Sequence, residues 1–148
     1  MNTLIISISI HHNNTQKIAE EFAKVLDCEI KKPFNVDPKD FEQYDLIGFG
    51  SGIYNGKHHS ALFKLLDKLT DQNKKKAFIF STCSIRVKSL HEELRKKLQE
   101  KGFEVIDEFQ SRGFSDVSFI KYIGGINKGR PNEKDLQRAR EFAEDLKK

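Results

Sequence analysis

Three polar stretches hold the residues of this sequence best suited to chemistry: Ser9–Thr15, Gly50–His59 and Ser81–Arg86. In the first, a short polar turn runs into a helical pattern at Thr15. The free N–H groups and positive dipole end of such a helix make a phosphate site. Ser9, Asn13, Asn14 and Thr15 add hydrogen-bond donors. No Lys lies in the turn and no G-x-x-x-x-G-K-[ST] pattern occurs, which argues against a nucleoside-triphosphatase loop. The turn suits a phosphomonoester held by backbone and neutral side chains; an ordinary capped helix start is the plainer alternative. His11, His12, His58 and His59 share these stretches with Cys83, but adjacent His pairs point in different directions and lack metal-ligand spacing. Polar loop histidines are expected rather than a metal centre. Cys83 reads equally as a ligand contact or as a small buried thiol. No acid–base pair or activated nucleophile stands out, so no catalytic side chain is assigned.

The elements that must position these stretches alternate along the chain. Thr3–Ile10 is rich in β-branched residues and almost continuously apolar, as a strand covered on both faces would be. Ile18, Phe22, Val25 and Leu26 then fall on one helical face, with Asn13 or Asn14 as the cap. Cys28–Lys32 reads as a weak strand near an edge and Pro33 to Phe41 as a loop. Tyr44–Phe49 is a third strand, ending in Gly50-Ser51-Gly52. Ser60–Leu69 reads as a helix and Ala77–Phe80 as a fourth strand, followed by a polar loop Ser81-Thr82-Cys83-Ser84. Val87–Lys101 is helical, with Leu90, Leu94 and Leu98 inward, and Gly102 stops it. Phe103–Phe109 is a fifth strand. A long loop from about Gln110 to Arg130 precedes a last helix, which starts after Pro131 with Asn132 as its cap. Strands alternating with helices imply right-handed crossovers and a parallel sheet covered on both faces. In such a sheet, ligands bind beyond the carboxyl ends of the strands, where the three polar stretches fall.

The 148 residues fit one domain, 1–148, large enough to bury a core without disulfides. With 37% hydrophobic and 32% charged residues the composition argues against disorder. Apolar runs such as Leu4-Ile5-Ile6 are far too short for a membrane span, so no membrane insertion is expected. No basic stretch followed by a long apolar segment opens the chain, so no secretory signal is expected. Two cysteines, Cys28 and Cys83, lie far apart in no paired motif. That usage fits a reducing compartment, and a cytoplasmic location is expected. The net charge of +4 is scattered over expected surface positions such as Lys74–Lys76 and Lys96–Lys97. No aromatic residues interleave with a basic stripe, so nucleic acid is not an expected partner.

Ser9-Ile10-His11-His12-Asn13-Asn14-Thr15-Gln16-Lys17-Ile18-Ala19 resembles the flavodoxin phosphate loop, commonly T/S-x-T-G-N-T before a helix. Asn14-Thr15 matches its last two residues. Asn13 stands where Gly is usual, and Asn is the next best residue for a left-handed backbone. His12 stands where a Thr hydroxyl is common. Tyr44-Asp45-Leu46-Ile47-Gly48-Phe49-Gly50-Ser51-Gly52-Ile53-Tyr54-Asn55-Gly56-Lys57 is similar to the family's third strand and the flavin-binding loop after it. Ser81-Thr82-Cys83-Ser84 falls at the other flavin-flanking loop, and Gly129-Arg130-Pro131-Asn132 continues the likeness.

The resemblance implies a flavodoxin-like three-layer α/β/α sandwich with a five-stranded parallel sheet in the order 2-1-3-4-5. It implies FMN across the strand ends, touching Ser9, His11, His12, Asn13, Asn14 and Thr15 at the phosphate. The ring would lie between Ser51, Gly52, Ile53, Tyr54, Asn55 and Gly56 on one side and Thr82, Cys83 and Ser84 on the other. Tyr54 is the candidate for stacking on the ring, with a plain surface tyrosine as the alternative. A His beside the phosphate would have its charged form favoured. In flavodoxins a peptide of the second loop reorients toward the reduced flavin, and Asn55-Gly56 is the expected counterpart.

The leading functional expectation is an FMN-bearing electron-transfer protein that shuttles low-potential electrons between redox partner proteins. Most flavodoxins are strongly acidic; this basic chain calls for partners with acidic docking patches. Two alternatives stand beside it. One is an FMN-dependent oxidoreductase of the flavodoxin-type protoporphyrinogen oxidase or quinone reductase kind, with Gln110–Arg130 as a substrate lid. The other is a flavin-free interaction module, suggested by Asn13 and His12. A dinucleotide site is disfavoured because Gly50-Ser51-Gly52-Ile53-Tyr54-Asn55 ends in Asn and follows the third strand. A phosphate-accepting receiver domain is disfavoured because neither Ile8–Ile10 nor Phe49–Ser51 supplies an acidic residue.

Overall fold

The computed structural model describes residues 1–9, 14–83, 88–112 and 130–148. In chain order these residues form β1 (Thr3–Ile8), α1 (Asn14–Leu26), β2 (Glu29–Lys31), β3 (Leu46–Tyr54), β4 (Lys57–His58), α2 (Ser60–Asp67), β5 (Lys75–Cys83), α3 (Glu92–Glu100), β6 (Phe103–Arg112) and α4 (Glu133–Leu146). The sheet runs β2-β1-β3-β5-β6, all parallel, and the short β4 pairs antiparallel with the end of β3. With β4 set aside, this is the expected order 2-1-3-4-5.

Alternating side chains divide the core into two layers. Leu4, Ile6, Ile47, Phe49, Ala77 and Ile79 pack with Leu62, Leu65 and Leu66 of α2 and with Leu94 and Leu98 of α3. On the other face, Ile5, Phe78, Phe80 and Phe109 pack with Ile18, Ala19 and Phe22 of α1 and with Ala139 and Ala143 of α4. Phe22 meets Phe78, Phe80 and Phe109 edge-on, with ring centroids 5.1–5.8 Å apart. Each layer supplies the apolar burial that holds a crossover helix on the sheet.

Several boundaries differ from the sequence expectation. Gly50-Ser51-Gly52 does not leave the sheet: β3 continues to Tyr54. Gly48 and Gly50 make room for rings, since a Cβ there would lie 2.2 Å from Phe78 and from Phe80. Ser81-Thr82-Cys83 likewise stays in β5, in register with Gln110, Ser111 and Arg112 of β6. Gln110 to Arg112, expected at the start of the long loop, therefore belong to β6, and residues 113–129 lie outside the described residues. Pro33 to Phe41 is not plain loop: two 3₁₀ turns, Pro33–Asn35 and Pro38–Gln43, bury Val36 and Phe41. A 3₁₀ turn, Lys88–His91, precedes α3. Gly102 ends α3 with φ +85°, a conformation that favours glycine. Asn132 caps α4 as expected, and its side chain and that of Asp135 form a reciprocal capping box.

Candidate functional site

The register of the sheet brings the expected ligand residues to one end. Ile8 pairs with Ser51, Ser51 with Ser81, and Gly52 with Thr82. Ser9 follows directly on β1. α1 starts above this edge with Asn14 and Thr15 both buried and no acidic residue in its first turn. Thr15 Oγ1 lies 2.7 Å from Thr82 Oγ1, a buried hydrogen bond that ties the helix start to the end of β5. Ser7 points to the same side as Ile5, toward the α1 layer. Its hydroxyl is buried and has no hydrogen-bond partner among the described residues. His11, His12, Asn13 and Ser84, also expected at this edge, lie outside the described residues.

The second ligand stretch is a hairpin. Ile53 pairs with His58 and Tyr54 with Lys57, leaving Asn55 and Gly56 as a two-residue turn. Their φ values of 53° and 80° are those of a type I′ turn, whose twist matches the flanking strands. Ser51 closes the base of the hairpin: its buried hydroxyl donates to the Gly52 carbonyl (2.6 Å) and accepts from the His59 N–H (2.9 Å). Tyr54 is half-buried and its hydroxyl sits over Gly52, where a Cβ would come within 2.9 Å of it. The Tyr54 ring meets His59 edge-on at 5.4 Å. His59 caps α2, with Nδ1 accepting from the Ala61 N–H (3.0 Å). Partial burial, then the charge of Lys64, lowers its pKa. Cys83 is half-buried, with Sγ 3.9 Å from the Ser111 carbonyl.

Beneath this edge lies a polar chain that the sequence reading missed. Ser81 Oγ is 2.6 Å from His91 Nε2, and His91 Nδ1 is 2.9 Å from Glu108 Oε1. Arg95 grips the same carboxylate with two N–H groups, at 2.6 and 2.8 Å. Burial alone would raise the Glu108 carboxyl, but hydrogen bonds from Arg95 and His91 outweigh it and hold the pKa below its usual range. Burial lowers the His91 pKa, against the pull of Glu108. With Glu108 ionised, Nδ1 carries the proton it donates and Nε2 accepts from Ser81. His58 lies alongside, with ring centroids 4.9 Å apart. Its Nε2 donates to the Phe80 carbonyl at 2.9 Å, and burial pushes its pKa down to about 3. One signal could have exposed this chain: His91 shares the inward stripe with Leu94 and Leu98 at i+3 and i+7, and a polar residue there must find a partner.

The donor set suits a flavin mononucleotide. A helix start free of acidic side chains favours a phosphate. Neutral hydroxyls line the edge, Ser7 has an unused one, and a hairpin with an aromatic residue borders the strand ends. Among the described residues no group of three or more His, Cys, Asp or Glu side chains is arranged to hold a metal. No described helix is long and apolar enough to cross a membrane.

The comparisons with known proteins agree with this architecture. Residues 5–113 match the model of a flavodoxin domain family. A Methanocaldococcus jannaschii protein, described as uncharacterised, is 51% identical over 150 residues, spanning 100% of this chain and 99% of its own. A solved flavodoxin from the domain Archaea superposes with a TM-score of 0.74 at 16% identity, over 99% of this chain and 96% of its own. Flavodoxin 2 from Bacillus cereus gives 0.73 at 19% identity, over 97% and 95%. A Fusobacterium nucleatum flavodoxin bound to flavin mononucleotide gives 0.66 at 17%, over 99% and 98%. At these identities the solved structures speak for the fold, while the domain match speaks for descent: the chain belongs to the flavodoxin family.

Proposed function

We propose that this chain binds FMN non-covalently across the ends of β1, β3 and β5 and carries low-potential electrons between redox partner proteins. The observation that supports this most is the Thr15–Thr82 hydrogen bond. It sets the positive end of α1 beside the strand ends that the hairpin also borders. Asn14 and Thr15, with Ser9, His11, His12 and Asn13, would hold the phosphate. Tyr54 would lie against the ring, with Ser51, Gly52, Ile53, Asn55 and Gly56 on its side and Thr82, Cys83 and Ser84 on the other. When bound, FMN supplies reversible one-electron transfer. The protein's own part is to bind it, orient it and limit its contact with water.

The net charge of +4 favours partners with acidic docking patches. A cytoplasmic setting fits the cysteines. Neither forms a disulfide, and burial, then Asp27 and Glu29, pushes Cys28 up to about 11, where it stays protonated and unreactive.

The test is the visible spectrum of the purified protein before and after mixing with FMN and removing the excess. Flavin absorbance that stays with the protein and is lost in two resolved one-electron steps supports the carrier. Bound flavin reduced only in a single two-electron step, with steady turnover of a quinone or porphyrinogen, replaces it with the oxidoreductase. No retained flavin replaces it with the flavin-free module.

A further inference from the structure

The chain Arg95–Glu108–His91–Ser81 crosses the sheet edge without being needed to hold a phosphate or a ring. Its outer members, Arg95 and Glu108, are about a third exposed, with side-chain exposures of 30% and 27%. Its inner members are sealed: His91 is 1% exposed and Ser81 0%. Ser81 pairs with Ser51 across the sheet and precedes Thr82 in β5, so the buried inner end of the chain lies next to residues of the proposed flavin edge.

The groups facing His91 come from every element around it. β4 contributes His58, β5 the neutral hydroxyl of Ser81, α3 the Arg95 guanidinium and β6 the Glu108 carboxylate. Burial and Arg95 oppose a charge on the ring, while Glu108 favours it. His58 does not compete for a proton, because its Nε2–H is committed to the Phe80 carbonyl and burial keeps the ring neutral. Nδ1 of His91 already donates to Glu108. The open basic position is Nε2, and its partner is a hydroxyl, which can donate or accept. A negative charge added at the strand ends would tip this balance toward imidazolium.

We propose that His91 is the internal proton acceptor of this site: as one electron is taken up at the strand ends, Nε2 of His91 takes up one proton, and the Ser81 hydroxyl turns from donating to accepting. This rests on the flavin-carrier reading. The electron comes from an external low-potential reductant and the proton from bulk solvent. The only bond made in the chain is Nε2–H, and the net charge of the site is unchanged. His91 acts through Ser81 and is a positioning and proton-holding residue, not one that touches the ring.

The test uses the FMN-loaded protein with isotope-labelled histidine. The His91 ring is titrated by NMR in the oxidised and the dithionite-reduced forms, with His91→Gln for assignment, and protons taken up per electron are counted with a pH indicator. The expected result is a His91 pKa higher by about two units or more after reduction, since a smaller rise moves only part of a proton, and fewer protons per electron in His91→Gln. Glu108→Gln should lower the His91 titration and the proton count with flavin still bound, and it serves if His91→Gln does not fold. A His91 titration independent of redox state, or an unchanged proton count in the variants, overturns the proposal and leaves the carrier standing. Failure of the wild type to retain flavin overturns both.

Discussion

Thr15 and Thr82, 67 residues apart, share a buried hydroxyl–hydroxyl hydrogen bond of 2.7 Å. It joins the first turn of α1 to the last residues of β5, so the stretch expected at the FMN phosphate and one of the two expected beside the ring are held at a set spacing. Thr82→Val keeps the shape but leaves the Thr15 hydroxyl buried and unpartnered. Urea unfolding should show a loss of about 1–3 kcal/mol. Thr15→Val with Thr82→Val should recover part of it, because neither partner is then left alone. Additive losses in the double variant would mean that the two hydroxyls do not interact.

Phe80 fills the space that Gly50 leaves. A Cβ at Gly50 would lie 2.2 Å from its ring, and the ring is fully buried against Phe22. Gly50→Ala should therefore cost about 1–3 kcal/mol through overpacking. Adding Phe80→Leu should make the alanine substitution cheaper than it is beside Phe80. An alanine tolerated with no shift in the urea midpoint would show that the ring has room to move.

Gly56 differs in kind. Its φ is +80° and nothing lies within 4 Å of an added Cβ, so a substitution there meets backbone strain without a clash. Gly56→Val should lose about 1–2 kcal/mol. If the Asn55-Gly56 peptide answers to the flavin's redox state, the variant should also shift the midpoint potentials measured by reductive titration. Destabilisation with unchanged potentials would confine the turn to a structural role.

Stability should fall in acid. His58 has a folded pKa of about 3 against 6.5 when free, so below about pH 6.5 the unfolded chain binds a proton that the folded one refuses. Its contribution is complete above 6.5 and is lost as pH falls toward 3, at about 1.4 kcal/mol per pH unit. His91 is shifted the same way and adds to the slope, and the lowered Glu108 joins below its ordinary value of 4.5. Urea midpoints from pH 7 to pH 4 should show this decline, and His58→Gln should flatten it. An equally steep decline in that variant would assign the effect elsewhere.

Much of the fold was legible in the sequence. The apolar run that forms β1, Thr3–Ile8, the helical stripe of Ile18 and Phe22, and the cap Asn132 are local patterns, and local patterns follow from backbone geometry alone. Gly50-Ser51-Gly52 and Ser81-Thr82-Cys83 misled because small and polar residues have weak strand preference. They stay in the sheet because Phe80 occupies the gap at Gly50 and because Ser51 finds backbone partners, Ser81 a ring nitrogen and Thr82 a hydroxyl.

By itself, then, the sequence determined the alternation of elements and the parallel sheet, because hydrophobic periodicity acts over a few neighbouring residues. The tertiary structure alone decided how far β3 and β5 run, that Thr15 meets Thr82, and that Ser81, His91, Glu108 and Arg95 form one chain. Those groups come from different elements. Burial makes an unpaired polar group costly, so the partners were chosen only when the helices closed on the sheet.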